Sequence, residues 1–240
     1  MRTALVTGGG TGIGLAIAES LIGSGARVLI TGRRADVLDA AVAALGSNSS
    51  ALPCDHTDPR QVEDLAKRFT GPIDLLVNNA GGNTDFDADV PVGLHELANQ
   101  WRTNLEANLI SAVLTTTAVS DRLADGAAVV HIGSIAAHNG AGSYGAAKAA
   151  LASWNVQLAA ELGPRDITSN VVAPGYISDT EFFRDKLADT RRNTLIASTH
   201  TGRAGIPADV ASTVSFLASS GARHITGQVI NVNGGALTTV

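Results

Sequence analysis

Thr3-Ala4-Leu5-Val6-Thr7-Gly8-Gly9-Gly10-Thr11-Gly12-Ile13-Gly14 runs from an apolar, β-type segment through a glycine loop into a helix-period stretch. In that stretch Ile13, Ala16, Ile17 and Leu21 recur on one face, as in a helix packed on a sheet. Glycine permits a tight turn and leaves no Cβ between the backbone and an approaching ligand. A helix starting near Gly12 directs unpaired N–H groups and the positive end of its dipole at the same point, which suits a pyrophosphate. The spacing is Gly8-x-x-x-Gly12-x-Gly14, not the commoner G-x-G-x-x-G.

The same strand–helix alternation continues along the chain. Strands are expected at Ala4–Val6, Arg27–Thr31, Ala51–Pro53, Ile73–Val77, Ala127–Gly133, Ser169–Ala173 and Gln228–Val232. Helices are expected at Gly12–Ile22, Ala35–Leu45, Arg60–Phe69, Trp101–Arg122, Tyr144–Leu162 and Ala208–Ala218. Runs such as Ala127-Ala128-Val129-Val130 are apolar on both faces, as in a parallel sheet covered by helices on each side. The expectation is an α/β fold with a doubly wound, parallel seven-stranded Rossmann-like sheet. No repeat or low-complexity linker divides residues 1–240, which predicts a single domain. The polar stretch 176–205, carrying Arg184, Lys186, Arg191, Arg192 and Arg203, interrupts the pattern and reads as a flap over a site or a solvated helical insertion.

Composition narrows the function. With 45% hydrophobic and 16% charged residues the chain can bury a core, and a net charge of −5 disfavours nucleic acid or an anionic membrane as partner. Aromatic residues are only 4%, too few for base-stacking platforms. The single cysteine, Cys54, excludes an intrachain disulfide or a cysteine-rich zinc site and reads as a buried strand residue. No apolar run approaches the roughly 18 residues of a membrane span. The first strand leaves no room for a leader, so a soluble cytoplasmic protein is expected.

Each unusual cluster falls just after a strand, where ligands bind in open α/β sheets. After the glycine loop come Gly32-Arg33-Arg34, Asp55-His56, Asn78-Asn79-Ala80-Gly81, Ser134 and Pro174-Gly175. Together they describe one cofactor cleft. Tyr144 and Lys148, four residues apart in a helical stretch, share a face.

Thr7-Gly8-x-x-x-Gly12-Ile13-Gly14, Asn78-Asn79-Ala80-Gly81, Tyr144-x-x-x-Lys148 and Pro174-Gly175 stand in the order seen in short-chain dehydrogenases/reductases. The closing Ile225-Thr226-Gly227-Gln228 to Asn233-Gly234-Gly235 also resembles that family, and the likeness spans essentially the whole chain, in the compact branch. The resemblance implies hydride transfer between NADP(H) and a carbonyl or secondary alcohol, with Tyr144 as general acid/base. Free tyrosine has a pKa of about 10, so a shift to about 7 needs roughly 4 kcal/mol, which Lys148 and the charge of the cofactor are expected to supply.

Ser134 would hydrogen-bond the substrate oxygen, although it lies only ten residues before Tyr144, a shorter interval than is usual in the family. Ser143 is the runner-up, with a helix cap or surface serine as its plain reading. Trp101 followed seven residues later by Asn108-Leu109 matches a family pattern in which Asn108 holds a water linking Lys148 to solvent; Asn104 is the competing residue. The resemblance further implies that Asp55 and the His56 backbone border the adenine and that Asn79, Ala80 and Gly81 line the nucleotide. Pro174, Gly175, Ile177 and Thr180 would flank the nicotinamide end, Thr180 holding the carboxamide.

Glycine stands at position 32 where an NAD-binding chain carries an acid, and Arg33 and Arg34 suit a 2′-phosphate, so NADP(H) is expected over NAD(H). The glycine loop lacks the second basic residue found in many NADP-binding relatives. His131 sits in an apolar strand and His138 in the substrate loop, and neither has companions at metal-ligand spacing, so no metal site is expected. A homotetramer packed through the helices of Asn108 and Tyr144 is the implied assembly. The 3-oxoacyl-thioester reductases are one subtype, suggested by the basic stretch 176–205 that would meet an acidic carrier. The rival readings are a non-catalytic dinucleotide-binding regulator and a redox-neutral epimerase with tightly held NAD. The intact Tyr144 and Lys148 disfavour the first, the short length and Arg33 the second.

Overall fold

The computed structural model describes residues 2–183 and 186–239. Among them seven strands form one sheet: β1 (Thr3–Thr7), β2 (Arg27–Gly32), β3 (Ser49–Pro53), β4 (Ile73–Asn78), β5 (Leu123–Ile132), β6 (Thr168–Pro174) and β7 (Val229–Val232). Their order is β3-β2-β1-β4-β5-β6-β7, and each pairing is parallel. The winding reverses between β1 and β4, which pair through Val6 and Val77, so a crevice opens at the carboxyl ends of those two strands.

Helices α1 (Gly12–Gly23), α2 (Ala35–Leu45), α3 (Pro59–Lys67), α4 (Leu94–Leu105), α5 (Ser111–Val119), α6 (Ala136–Asn139), α7 (Gly142–Leu162), α8 (Asp189–Ala197) and α9 (Pro207–Leu217) connect and cover the strands. Successive strand side chains point to opposite faces, and both faces are buried. In β1, Ala4 and Val6 join a core with Ile17 and Leu21 of α1, Leu38 of α2 and Val210 and Val214 of α9. Leu5 points the other way, into a core with Val62 and Leu65 of α3, Val119 of α5 and Leu158 and Leu162 of α7. This explains why the strands read as continuous apolar runs.

Three boundaries depart from the sequence expectation. The helix expected from Trp101 begins at Leu94, and it is broken by a π turn at Glu106–Ile110 before α5 resumes. Strand β5 begins at Leu123 instead of Ala127, because Ile73 pairs with Leu123 while Leu75 pairs with Ala128, leaving a bulge that contains Gly126. The stretch after β6 carries a short 3-10 turn at Glu181–Phe183 and helix α8. Its two ends close on each other: Ile177 bridges Gly205, Ser178 N–H donates to the Gly205 carbonyl at 2.9 Å, and Gly205 N–H donates to the Tyr176 carbonyl at 3.0 Å. Among the described residues, no helix is long and apolar enough to cross a membrane.

Candidate active site

A cleft of about 990 Å³ lies along the carboxyl edge of the sheet, at the upper end of the range common for ligand sites. Its wall begins with the glycine loop, through Gly8, Thr11, Gly12, Ile13 and Gly14. Thr11 caps α1 without a side-chain capping bond, so its hydroxyl does not fill the helix N-terminus. The loop is held from below by Asn79, whose Nδ2 donates to the carbonyls of Thr7 and Gly8 at 2.9 and 3.0 Å. Thr7 Oγ1 in turn accepts from the N–H groups of Asn79 and Ala80, both at 2.9 Å. The Asn79 side chain is therefore a strut between β1 and β4, and its residue reaches the cleft as wall.

Arg33, Arg34, Asp55 and His56 line one end of the cleft, and Ala80, Gly81, Pro174, Gly175, Ile177 and Thr180 line its length. Arg33 is exposed and makes no ion pair among the described residues, whereas Arg34 pairs with Glu181 at 2.8 Å. Burial acts to raise the Asp55 carboxyl, but hydrogen bonds from Thr57 and the nearby Arg33 charge bring it below the ordinary range. Arg184, expected in the basic stretch, lies outside the described residues.

His56 presents no side chain for ligand chemistry. Thr115 donates its hydroxyl proton to the Ser111 carbonyl, so it accepts from His56 Nδ1 at 2.8 Å, and Thr31 Oγ1 lies 2.7 Å from Nε2. Burial pushes this imidazole down to about 4 against the pull of Asp55. His131 is likewise enclosed, next to Asn78 at 3.1 Å and against the Trp154 ring, and burial with the Lys148 charge lowers it to about 3. His138 is exposed and does not line the cleft.

These two depressed values fix a pH window. The unfolded chain takes up protons near pH 6.5, and the folded chain does so only near 4 and 3, so stability is full above 6.5 and lost as pH falls. His56 alone is expected to cost roughly 3 kcal/mol by pH 4. Urea unfolding at pH 7 and pH 4.5 checks this; equal midpoints would show that neither histidine is buried neutral.

At the other end of the cleft three side chains meet. Ser134 Oγ accepts from Ala136 N–H at 3.1 Å and hydrogen-bonds the Tyr144 phenol. Lys148 Nζ donates to the Ile132 carbonyl at 2.8 Å and lies 5.8 Å from the centre of the Tyr144 ring. Tyr144 and Lys148 are 7% and 5% exposed, low enough for burial to govern both. Burial pushes the phenol up to about 12, opposed only in part by Ser134, and lowers the ammonium to about 8. The phenol of the chain alone thus stands protonated, because desolvation is the larger influence and Ser134 offsets it only in part.

Asn108 lies behind this wall instead of in it. The π turn widens the helix so that Asn108 Nδ2 reaches the carbonyls of Gly82 at 2.9 Å and Asn104 at 3.0 Å, while its Oδ1 accepts from Gly82 N–H at 3.0 Å. Asn104 is fully buried and bonded to Asp85 and Ser143, and Ser143 also donates to Asp85 at 3.0 Å. Asn104 and Ser143 therefore fasten the 3-10 turn Thr84–Asp87 to α7 and do not line the cleft.

Sequence reasoning missed the rings at this end. Phe182 sits 5.7 Å from Tyr144, with Phe86 and Phe183 around it. The adjacent pair Phe182-Phe183 in a polar stretch of an aromatic-poor chain was the available signal. Cys54 also lines the cleft, and burial, with Asp55 and Asp58 adding, raises its thiol to about 11, which keeps it protonated and unreactive. Among the described residues no group of three or more His, Cys, Asp or Glu is placed to hold a metal ion.

Comparison with known proteins gives the lineage of this arrangement. Residues 8–237 match the family described as enoyl-(acyl carrier protein) reductase. The chain is 37% identical over 242 residues to the 3-oxoacyl-(acyl-carrier-protein) reductase FabG of Escherichia coli (strain K12), covering 98% of this chain and 96% of that one. It superposes with a TM-score of 0.88 on a short-chain dehydrogenase/reductase from Brucella melitensis, 32% identical, covering 99% and 97% of the two chains. A blue fluorescent protein from a metagenomic library, solved in complex with NADPH, gives a TM-score of 0.86 at 32% identity, covering 99% and 98%. The match extends from the glycine loop through the closing segment, and the chain belongs to the short-chain dehydrogenase/reductase family of oxidoreductases.

Proposed function

We propose that the chain reduces a carbonyl compound, or oxidises the corresponding secondary alcohol, with NADP(H) lying along the cleft. The observation that carries this reading is the meeting of Ser134, Tyr144 and Lys148 at one end of a cleft whose far end holds the glycine loop and Arg33, which makes no ion pair among the described residues. The open N-terminus of α1 and the glycine wall fit a pyrophosphate, and Arg33 fits a 2′-phosphate. When bound, the nicotinamide supplies or accepts the hydride.

Tyr144, held protonated by burial, donates its proton to the substrate oxygen, and Ser134 hydrogen-bonds that oxygen as charge develops on it. The Lys148 charge, close under the ring, then stabilises the phenolate that remains. Asn108 acts from behind, anchoring a water that returns protons to Lys148. The segment 176–205 serves as a substrate flap, hinged where Ile177 meets Gly205. The exposed Trp101, Ile110 and Val156 on the helices around Asn108 and Tyr144 suit packing between copies in a homotetramer.

Arg33→Ala tests the cofactor assignment. A charge-assisted hydrogen bond of about 1.5–3 kcal/mol predicts a roughly 10- to 150-fold weaker KM for NADPH, with NADH unchanged. Equal effects on both cofactors in steady-state kinetics would remove Arg33 from the 2′-phosphate site. Likeness to FabG favours a second reading, reduction of a 3-oxoacyl thioester.

A further inference from the structure

Resting on the carbonyl-oxidoreductase reading above, we propose that Gly145 is a positioning residue for the reaction: it lets α6 lie against α7 closely enough for Ser134 to keep its place beside Tyr144. Gly145 is buried in α7, next to the proton donor, and its φ lies outside the left-handed region, so the helix itself does not call for glycine. Alanine is the better helix former at such a position. The requirement comes from the neighbouring turn. A methyl group at 145 would stand 2.7 Å from the Ala136 carbonyl oxygen, against 3.4 Å or more in an ordinary contact, with the Ala141 Cβ at 3.5 Å.

Ala136 is the link to the chemistry. Its N–H donates to Ser134 Oγ at 3.1 Å, and that serine side chain hydrogen-bonds the Tyr144 phenol. On its other side the segment is anchored to β6: Gly133 N–H donates to the Val172 carbonyl at 2.7 Å, and Ile135 N–H to the Pro174 carbonyl at 3.1 Å. It has no slack in sequence either. Helix α6 ends at Asn139 and α7 starts at Gly142, so Gly140 and Ala141 alone join them, and Gly145 N–H donates to the Ala141 carbonyl at 3.0 Å. The ten-residue interval from Ser134 to Tyr144 is thus closed by a backbone contact that a side chain at 145 would hold open. A methyl group there displaces Ala136 and carries Ser134 with it, while the glycine loop and Arg33, at the far end of the cleft, stay in place.

The test is Gly145→Ala, alone and together with Ser134→Ala. It combines initial rates on a ketone panel, a fluorescence titration of NADPH and carbon-13 NMR of protein labelled at the tyrosine Cζ. The chain has two tyrosines, so the Tyr144 signal is assigned by its loss in Tyr144→Phe. Gly145→Ala is expected to lower kcat by about ten- to a hundredfold with the Kd for NADPH unchanged, and to move the Tyr144 signal as Ser134→Ala does. In the Ser134→Ala background it is expected to change kcat by less than about twofold, since the two substitutions act through one contact. A Gly-Ser-Gly insertion after Gly140 gives Ala136 room to withdraw. It is expected to bring Gly145→Ala to within about threefold of the same lengthened chain with Gly145, and it decides the matter if the unlengthened variant does not fold. The full loss persisting without Ser134, an unmoved Tyr144 signal, or no recovery in the lengthened chain overturns the role of Gly145 and leaves the oxidoreductase reading intact. Binding of NADPH with no turnover of any carbonyl by the unsubstituted protein overturns that reading, and the Tyr144 signal then decides by itself whether Gly145 holds Ser134 in place.

Discussion

Replacing Tyr144 by phenylalanine is expected to lower kcat by roughly a hundred- to ten-thousandfold while NADPH binds as before. The substitution removes one hydroxyl and its bond to Ser134 and keeps the ring that packs against Phe182. No cavity forms and the cleft keeps its shape, so the loss falls on proton transfer and not on assembly of the site. Initial rates with a carbonyl substrate, paired with a fluorescence titration of NADPH, separate the two effects. A rate within a few fold of the parent would place the proton donor elsewhere. A non-catalytic regulator that only binds the dinucleotide would keep its output in this variant.

Gly14→Ala is expected to lower stability by about 1–3 kcal/mol and to weaken NADPH binding at least tenfold. A methyl group at this position meets the Gly8 carbonyl oxygen and comes within 2.5 Å of Asn79 Nδ2. Neither can retreat cheaply, because one is the backbone of the glycine loop and the other is fixed by its bonds to Thr7 and Gly8. The loop must move, and with it the N–H groups that would face the pyrophosphate. Gly23→Ala, at the far end of the same helix and facing open space, is the control. It is expected to be neutral or to stabilise by up to about 1 kcal/mol, since alanine is the better helix former. Similar unfolding midpoints for the two variants would show that the loop is not packed this tightly.

The fold was legible because strand and helix periods are local properties: Ala4, Leu5 and Val6 already announce a strand buried on both faces. The cleft was legible because its residues follow strand ends, and strand ends in a parallel sheet share one edge. What escaped was long-range or energetic. The π turn at Glu106–Ile110 leaves no break in the apolar pattern, and the pairing of Arg34 with Glu181 joins residues 147 positions apart. The ring cluster depends on how residues 182–183 fold back on Phe86. The rise of the Tyr144 pKa depends on how deeply the phenol is buried, which spacing to Lys148 does not encode.

The most direct test of a hydride-transferring oxidoreductase is to supply NADPH carrying deuterium at the nicotinamide C4 positions, together with a ketone panel, and to analyse the products by mass spectrometry. The expected product is an alcohol with deuterium on the former carbonyl carbon, formed in step with oxidised cofactor and about a hundredfold or more slower with the Tyr144→Phe protein. NADPH that binds in the cleft but leaves every ketone unreduced and unlabelled would contradict that reading.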